Sequence, residues 1–275
     1  MNKILCPVDF SSASLNAIEF GLEIAKKFKS RLTFLHVFTE EDFNKALGKE
    51  AKGKSFKELL ALANSKLKLL VNSIAEETNN EIKCDYQIEM GDLIGKIKEV
   101  AYDENYDLVV MGTTGVSRVQ GVFFGSNTED AIEDVRKPIL CVPNTANFKQ
   151  FKKIVYASDF LEEDKMAIQE VISFATMFDA RIYVLHINLS DSQKEYNQFV
   201  EKLKSFIQYN KIAFVNKNYT EEVGGGINEY MQQENADLLV TFKRKRNIVE
   251  SIFSKSITQT LSYSTDKPLL ILKLE

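Results

Sequence analysis

The segment "KILCPVDFSSASLNAIEFGLEIAKKFKSRLTFLHVF", from Lys3 to Phe38, decides the fold, because the chain carries it twice. From Lys153 to Asn188 the sequence reads "KIVYASDFLEEDKMAIQEVISFATMFDARIYVLHIN". Ile4 pairs with Ile154, Asp9 with Asp159 and His36 with His186, each at an offset of 150. Farther on, "YDLVVMG" from Tyr106 matches "ADLLVTF" from Ala236, and Lys137-Pro138 matches Lys267-Pro268, at an offset of 130. Self-similarity over this length marks a duplicated structural unit. The second copy is shorter by about 20 residues in its middle, and the charged stretch Thr39–Glu58 of the first copy is the expected surplus.

Each copy alternates short apolar runs with helical patterns. "KILCPVD", "RLTFLHVF", "EIKCDYQIE", "DLVVMG" and "PILCVP" read as strands. Between the first two, Ala17, Phe20, Gly21, Ile24 and Ala25 recur at three-and-four spacing and define one apolar helix face, with Ser11, Ser12 and Ser14 as N-cap candidates. Strands apolar on both faces and separated by helices imply a parallel sheet covered on both sides. The expected architecture is α/β: two tandem doubly wound domains, each a five-stranded parallel sheet flanked by helices. The expected bounds are 1–145 and 152–275, with Asn144 to Lys152 as linker.

Composition narrows the function classes. The 275 residues, 44% hydrophobic and 27% charged, suffice for two packed cores. A net charge of −4 gives no general attraction to nucleic acid or to an anionic membrane. No run approaches a membrane span, and "MNKILCPVDF" is too short in its apolar part for a signal sequence, so the expected location is the cytoplasm. Cys6, Cys84 and Cys141 lie far apart; Cys6 and Cys141 sit in apolar runs and read as buried thiols. His36 and His186 end equivalent strands and read as structural imidazoles.

The chemistry concentrates in "GTTGVSRVQGVFFGSNT", Gly112 to Thr128, which holds four of the chain's 12 glycines. It follows the fourth strand and precedes a helix with Ala131, Ile132 and Val135 on one face. Such a loop sits at the carboxyl end of the sheet, where open α/β folds bind ligands. Glycines let backbone amides approach a ligand, and a helix start offers free N–H groups and positive dipole. Ser126 and Thr128 add hydroxyl donors, and phosphate is the natural anion for such a cradle. The spacing, Gly112, Gly115 and then Gly125-Ser126, is neither a Walker A loop nor a dinucleotide fingerprint.

That spacing, with "CPVDFS" opening the chain and "KPILCVP" closing the copy, resembles the universal stress protein family in its ATP-binding form, along essentially the whole chain. The resemblance implies a Rossmann-like domain of the adenine nucleotide alpha hydrolase type. It implies that Pro7, Val8 and Asp9 contact the adenosine part and that Val37 packs near adenine. It further implies that Met111, Gly112, Thr114 and Gly115 begin the phosphate loop, and that Gly125, Ser126, Asn127 and Thr128 hold the phosphates. The implied ligand is ATP. Asp9 alone is thin support for Mg²⁺, and neither a catalytic residue nor a protein metal ligand is assigned. Family dimers pair their last strands, which a tandem chain can imitate internally as a pseudo-dimer; a further homodimer stays open.

In the second copy Gly112 becomes Phe242, Gly115 becomes Lys245 and Gly125 becomes Lys255, while Ser256 and Thr258 survive. Its glycines stand in one run, Gly224 to Gly226, and a basic run, Lys243 to Arg246, occupies the loop. The expectation is one ATP site per chain, in a regulatory or stress-response protein. The alternatives are a slow ATPase and a non-nucleotide interaction module.

Overall fold

The computed structural model describes residues 1–39, 55–113, 126–188, 193–219, 223–243 and 267–273. They fall into two compact units: Met1–Thr113 with Ser126–Asn144, and the described chain from Thr145 onward. The first unit runs β1 (Lys3–Pro7), α1 (Ser12–Phe28), β2 (Arg31–Phe38), α2 (Phe56–Glu77), β3 (Cys84–Met90), α3 (Leu93–Asp103), β4 (Leu108–Thr113), α4 (Ser126–Asp134) and β5 (Ile139–Pro143). The second runs β6 (Lys153–Ala157), α5 (Asp164–Phe178), β7 (Arg181–Asn188), α6 (Gln193–Lys204), β8 (Ile212–Asn218), α7 (Val223–Glu234), β9 (Leu238–Lys243) and β10 (Leu269–Lys273). The expected surplus, Thr39–Glu58, lies mostly outside the described residues; its end forms the start of α2, where Ser55 and Glu58 make a capping box.

Within the first unit the strands lie in the order β3-β2-β1-β4-β5, all parallel. The second unit repeats this as β8-β7-β6-β9-β10. The order reverses direction between β1 and β4, and again between β6 and β9, so a crevice opens at the carboxyl end of each pair. Side chains alternate across the sheet. Cys6, Phe34 and Gly112 face α1 and α2, whereas Pro7, Val37, Met111 and Glu89 face α3 and α4. The central strands are mostly apolar: Ile4, Leu5, Leu32, Leu35, Val109 and Val110 are fully buried.

Helix α1 forms because Ser11 caps it, its side chain accepting from Ser14 N, and because its apolar stripe Ala13, Ala17, Phe20, Ile24 and Ala25 is buried. Lys29, at φ 55, ends it. The matching helix α5 begins at Asp164, whereas the residue that matches Ser12 is Glu162; its first turn has retreated by two residues. Asp164 is 1% exposed and accepts from Tyr156 Oη at 2.5 Å, Ser158 Oγ at 2.7 Å and Leu161 N at 3.2 Å. The first unit carries Cys6, Val8 and Ser14 at these three matching positions. Two of the three glycines in the second unit's run have a local explanation. A Cβ on Gly225 or Gly226 would stand 3.1 Å from the Tyr219 ring, which lies on the first turn of α7.

Replacing Asp164 by Ala is expected to destabilise the protein by about 3 kcal/mol, because the buried Tyr156 and Ser158 hydroxyls lose their acceptor. Urea denaturation followed by far-UV circular dichroism measures this; an unchanged midpoint would show that the two hydroxyls find other partners.

Candidate functional site

The turn after β1 carries the acid, and four interactions fix it. Val8 N donates to Leu35 O at 2.8 Å, and His36 Nδ1 lies 2.6 Å from Val8 O. A carbonyl only accepts, so Nδ1 carries the proton. The imidazole stands between the rings of Phe10, centroids 5.2 Å apart, and Phe38, 4.7 Å and edge-on. Phe10 adopts φ 63, a left-handed conformation unusual for a bulky side chain, and reverses the chain so that Ser11 can cap α1. Asp9 is exposed at the apex, and its Oδ1 accepts from Ser11 N at 2.9 Å and Ser11 Oγ at 2.6 Å. Burial pushes its pKa up, but the hydroxyls of Ser11 and Ser14 and the backbone N–H groups of Ser11 and Asp9 outweigh that and hold it below the ordinary value. The result is an ionised acceptor at the carboxyl end of the sheet.

Beside this turn lies an apolar ledge. The register Leu5↔Val109 brings Pro7 level with Met111, and Pro7↔Leu35 puts Val37 one step farther along β2 on the same face. Pro7, Val37 and Met111 are all buried against the α3–α4 side. Gly112 faces the other way. A Cβ placed on it would stand 2.2 Å from Ala13 O and 2.7 Å from Ser14 N, so the end of β4 touches the backbone of α1's first turn. Helix α4 starts at Ser126; Asn127 is exposed and Thr128 is buried, at 4%. Thr114, Gly115 and Gly125 lie outside the described residues, as does the Ser126 side chain. The structure therefore gathers Pro7, Val8, Asp9, Val37, Met111 and Gly112 around one crevice, on two faces of the sheet. The sequence reading assigned no role to His36 beyond a satisfied imidazole, and did not single out Phe10. Their signal was the repetition of Phe and His at matching positions in both copies.

The second unit keeps the turn and alters what surrounds it. His186 Nδ1 meets Ser158 O at 2.9 Å, and Phe160 repeats the left-handed turn at φ 62. Burial lowers the His186 pKa, against the opposing pull of the Ser158 carbonyl and Asp159. Phe160 stacks on His186, centroids 4.1 Å apart, and Tyr196 and Phe199 of α6 pack on Phe160 at 5.2 and 4.5 Å. Phe242, 4% exposed, stands where Gly112 does and on the face that α5 covers. A buried aromatic side chain thus stands at the position where the first unit has no side chain at all. Lys243 ends β9, and the rest of the basic run lies outside the described residues.

Cys6, Cys84 and Cys141 are free thiols, Cys6 and Cys141 buried. Burial pushes the Cys6 thiol up and raises Cys84 to about 11, so both stay protonated near neutrality. Among the described residues no group of three or more His, Cys, Asp or Glu side chains could hold a metal ion. No described helix is long and apolar enough to cross a membrane.

Strand order and crevices define a tandem, doubly wound α/β protein. Comparison with known sequences makes this specific: the universal stress protein family model matches residues 1–143 and again 150–273, and the chain belongs to that family. It is 31% identical over 140 residues to the universal stress protein MJ0531 of Methanocaldococcus jannaschii, covering 51% of this chain and 81% of that protein. It is 29% identical over 163 residues to MJ0577 of the same organism, covering 51% of this chain and 93% of that protein. The whole architecture is similar to a crystal structure of a universal stress protein from Archaeoglobus fulgidus DSM 4304, with a TM-score of 0.77. That match has 17% identity and covers 99% of this chain and 98% of that one.

Gly112→Ala is expected to cost roughly 2 kcal/mol or more, since the added methyl meets backbone that cannot rotate away; a thermal melt at wild-type midpoint would show that α1 yields instead. Ser11→Ala removes both the cap of α1 and two donors' geometry at Asp9, for about 1 kcal/mol. Because the folded pKa of Asp9 is depressed, its stabilisation is present at neutral pH and is lost as pH falls through that folded value. Carboxyl carbon NMR of the Ser11→Ala variant should find Asp9 titrating at higher pH than in the wild type; an unmoved titration would remove Ser11 from the account.

Proposed function

We propose that the first unit binds ATP, with one nucleotide per chain, and that the protein is a nucleotide-responsive regulator of the stress-response type. The proposed domains are residues 1–145, with the nucleotide, and 152–275, without it. One observation carries the reading: the same turn is built twice, but only around Asp9 does it face a ledge of Pro7, Val37 and Met111 and a glycine at the end of β4. The residues suit the ligand. Pro7, Val37 and Met111 offer an apolar surface to the base, and the ionised Asp9 offers an acceptor to ribose hydroxyls. The start of α4 offers free N–H groups and the positive end of its dipole to phosphate, with Ser126, Asn127 and Thr128 in its first turn. Thr114, Gly115 and Gly125 complete the proposed phosphate loop. In the second unit Ala157, Thr241 and Phe242 replace Pro7, Met111 and Gly112, and the aromatic stack on Phe160 fills the neighbourhood of the turn.

Micromolar affinity corresponds to about 8 kcal/mol, within reach of several phosphate hydrogen bonds and base burial. Native mass spectrometry of the full chain, titrated with ATP and ADP, is expected to saturate at one nucleotide per chain, and Gly115→Val to abolish the adduct. Two adducts per chain would overturn the asymmetry; none at millimolar ATP would overturn nucleotide binding.

A further inference from the structure

The ledge has an outer wall that neither the glycine loop nor the Asp9 turn accounts for. Glu89 on β3 is the register partner of Val37 on β2, so the two side chains stand next to each other on the α3 side, one strand spacing apart. The salt bridge of Glu89 to Lys96 on α3, 3.7 Å from Nζ to Oε2, independently fixes that direction. Lys96 Nζ sits closer to Glu99, at 2.8 Å, and hydrogen-bonds there. At 3.7 Å the Glu89–Lys96 contact is the longer of the two ion pairs, and a carboxylate with four lone-pair sites can accept from a further donor. Its side chain is 37% exposed and stands beside the buried Val37, at the rim of that ledge.

An ionised carboxylate can only accept. Placed at the rim of an apolar surface that receives a flat heterocycle, it favours a ring whose outer edge donates and opposes one whose edge accepts. Aminopurines and oxopurines present opposite patterns on this edge. The first has a donating exocyclic amine beside an accepting ring nitrogen, the second an accepting carbonyl beside a donating ring N–H. A carboxylate that meets the exocyclic position therefore favours the amine. The second unit sharpens the point. The register partner of Ile187, which matches Val37, is Lys217, so the charge at this position is reversed in the unit that lacks the glycine loop. Lys217 Nζ stands 5.9 Å over the Tyr230 ring.

We infer that Glu89 selects the base of the first-unit ligand, its carboxylate accepting from the exocyclic amine of an aminopurine and disfavouring an oxopurine. The inference rests on the proposed nucleotide site and adds to it a residue that sets specificity. Lys96 is a positioning residue that holds the carboxylate beside α3.

Calorimetric titration of the full chain with ATP and with inosine triphosphate tests it, since the two ligands differ at the six-position of the ring and its adjacent nitrogen. The wild type is expected to bind ATP at least roughly tenfold more tightly, the scale on which a polar site rejects a mismatched partner. Glu89→Gln, whose amide both donates and accepts, should bring the ratio to about threefold or less, and Glu89→Lys should reverse it. Lys96→Met disturbs the same wall but leaves the carboxylate, and should keep the preference for ATP. A wild-type ratio under about threefold overturns the inference without any variant, as does a wild-type ratio retained by both Glu89 variants. Absence of binding to either nucleotide overturns the ATP site itself, and base selection with it.

Discussion

At the end of β4 the backbone of Gly112 meets the backbone of Ala13 with no side chain between them, and much of the first unit is arranged around that approach. It brings the first turn of α1 down onto the carboxyl end of the sheet. Ser11 can then cap the helix while also holding Asp9, and the left-handed Phe10 fits beneath the imidazole of His36. A side chain at position 112 would lift the helix start, and with it the serine that orders the acid. The glycine thus acts on the site twice, once as an opening in the strand end and once through the helix it admits. The second of these depends on packing density, since interiors have no slack to absorb a displaced turn.

The second unit is the natural variant of this experiment. With Phe242 in place of the glycine, α5 starts later, and the residue that now leads it is Asp164. A carboxylate buried to this degree is tolerated only with donors, and Tyr156 and Ser158 supply them from β6 and the turn that follows it. Those two residues stand where the first unit has Cys6 and Val8.

Much of the fold was legible because the chain repeats itself: the offset of 150 assigns β1, α1 and β2 to their counterparts without any measure of propensity. The geometry of the candidate site was legible where it depends on the backbone, as at Gly112, or on short motifs such as Asp9 with its serines. It was illegible where the meaning of a residue depends on a partner set by register or burial. Glu89 is an ordinary charge in an alternating strand until β2 places Val37 beside it. Asp164 reads as a common first-turn acid, because nothing in "LEEDKM" announces that Tyr156 and Ser158 will close over it. The glycine run of α7 has no evident role in the sequence, and the neighbours of Gly225 and Gly226 are the Tyr219 ring and Ile187.

The buried network around Asp164 also makes the divergence of the two copies hard to undo. Reverting Phe242 to glycine alone would leave a cavity the size of an aromatic ring, at a cost of several kcal/mol on the scale of about 3 to 5 for such truncations. Reverting Asp164 alone would strand the Tyr156 hydroxyl in a fully buried position. Each single exchange toward the first unit's residues thus opens a cavity or strands a hydroxyl, which exchanging all of them together would avoid. Tyr156, Ser158, Asp164 and Phe242 therefore form a set that tolerates exchange together better than one residue at a time.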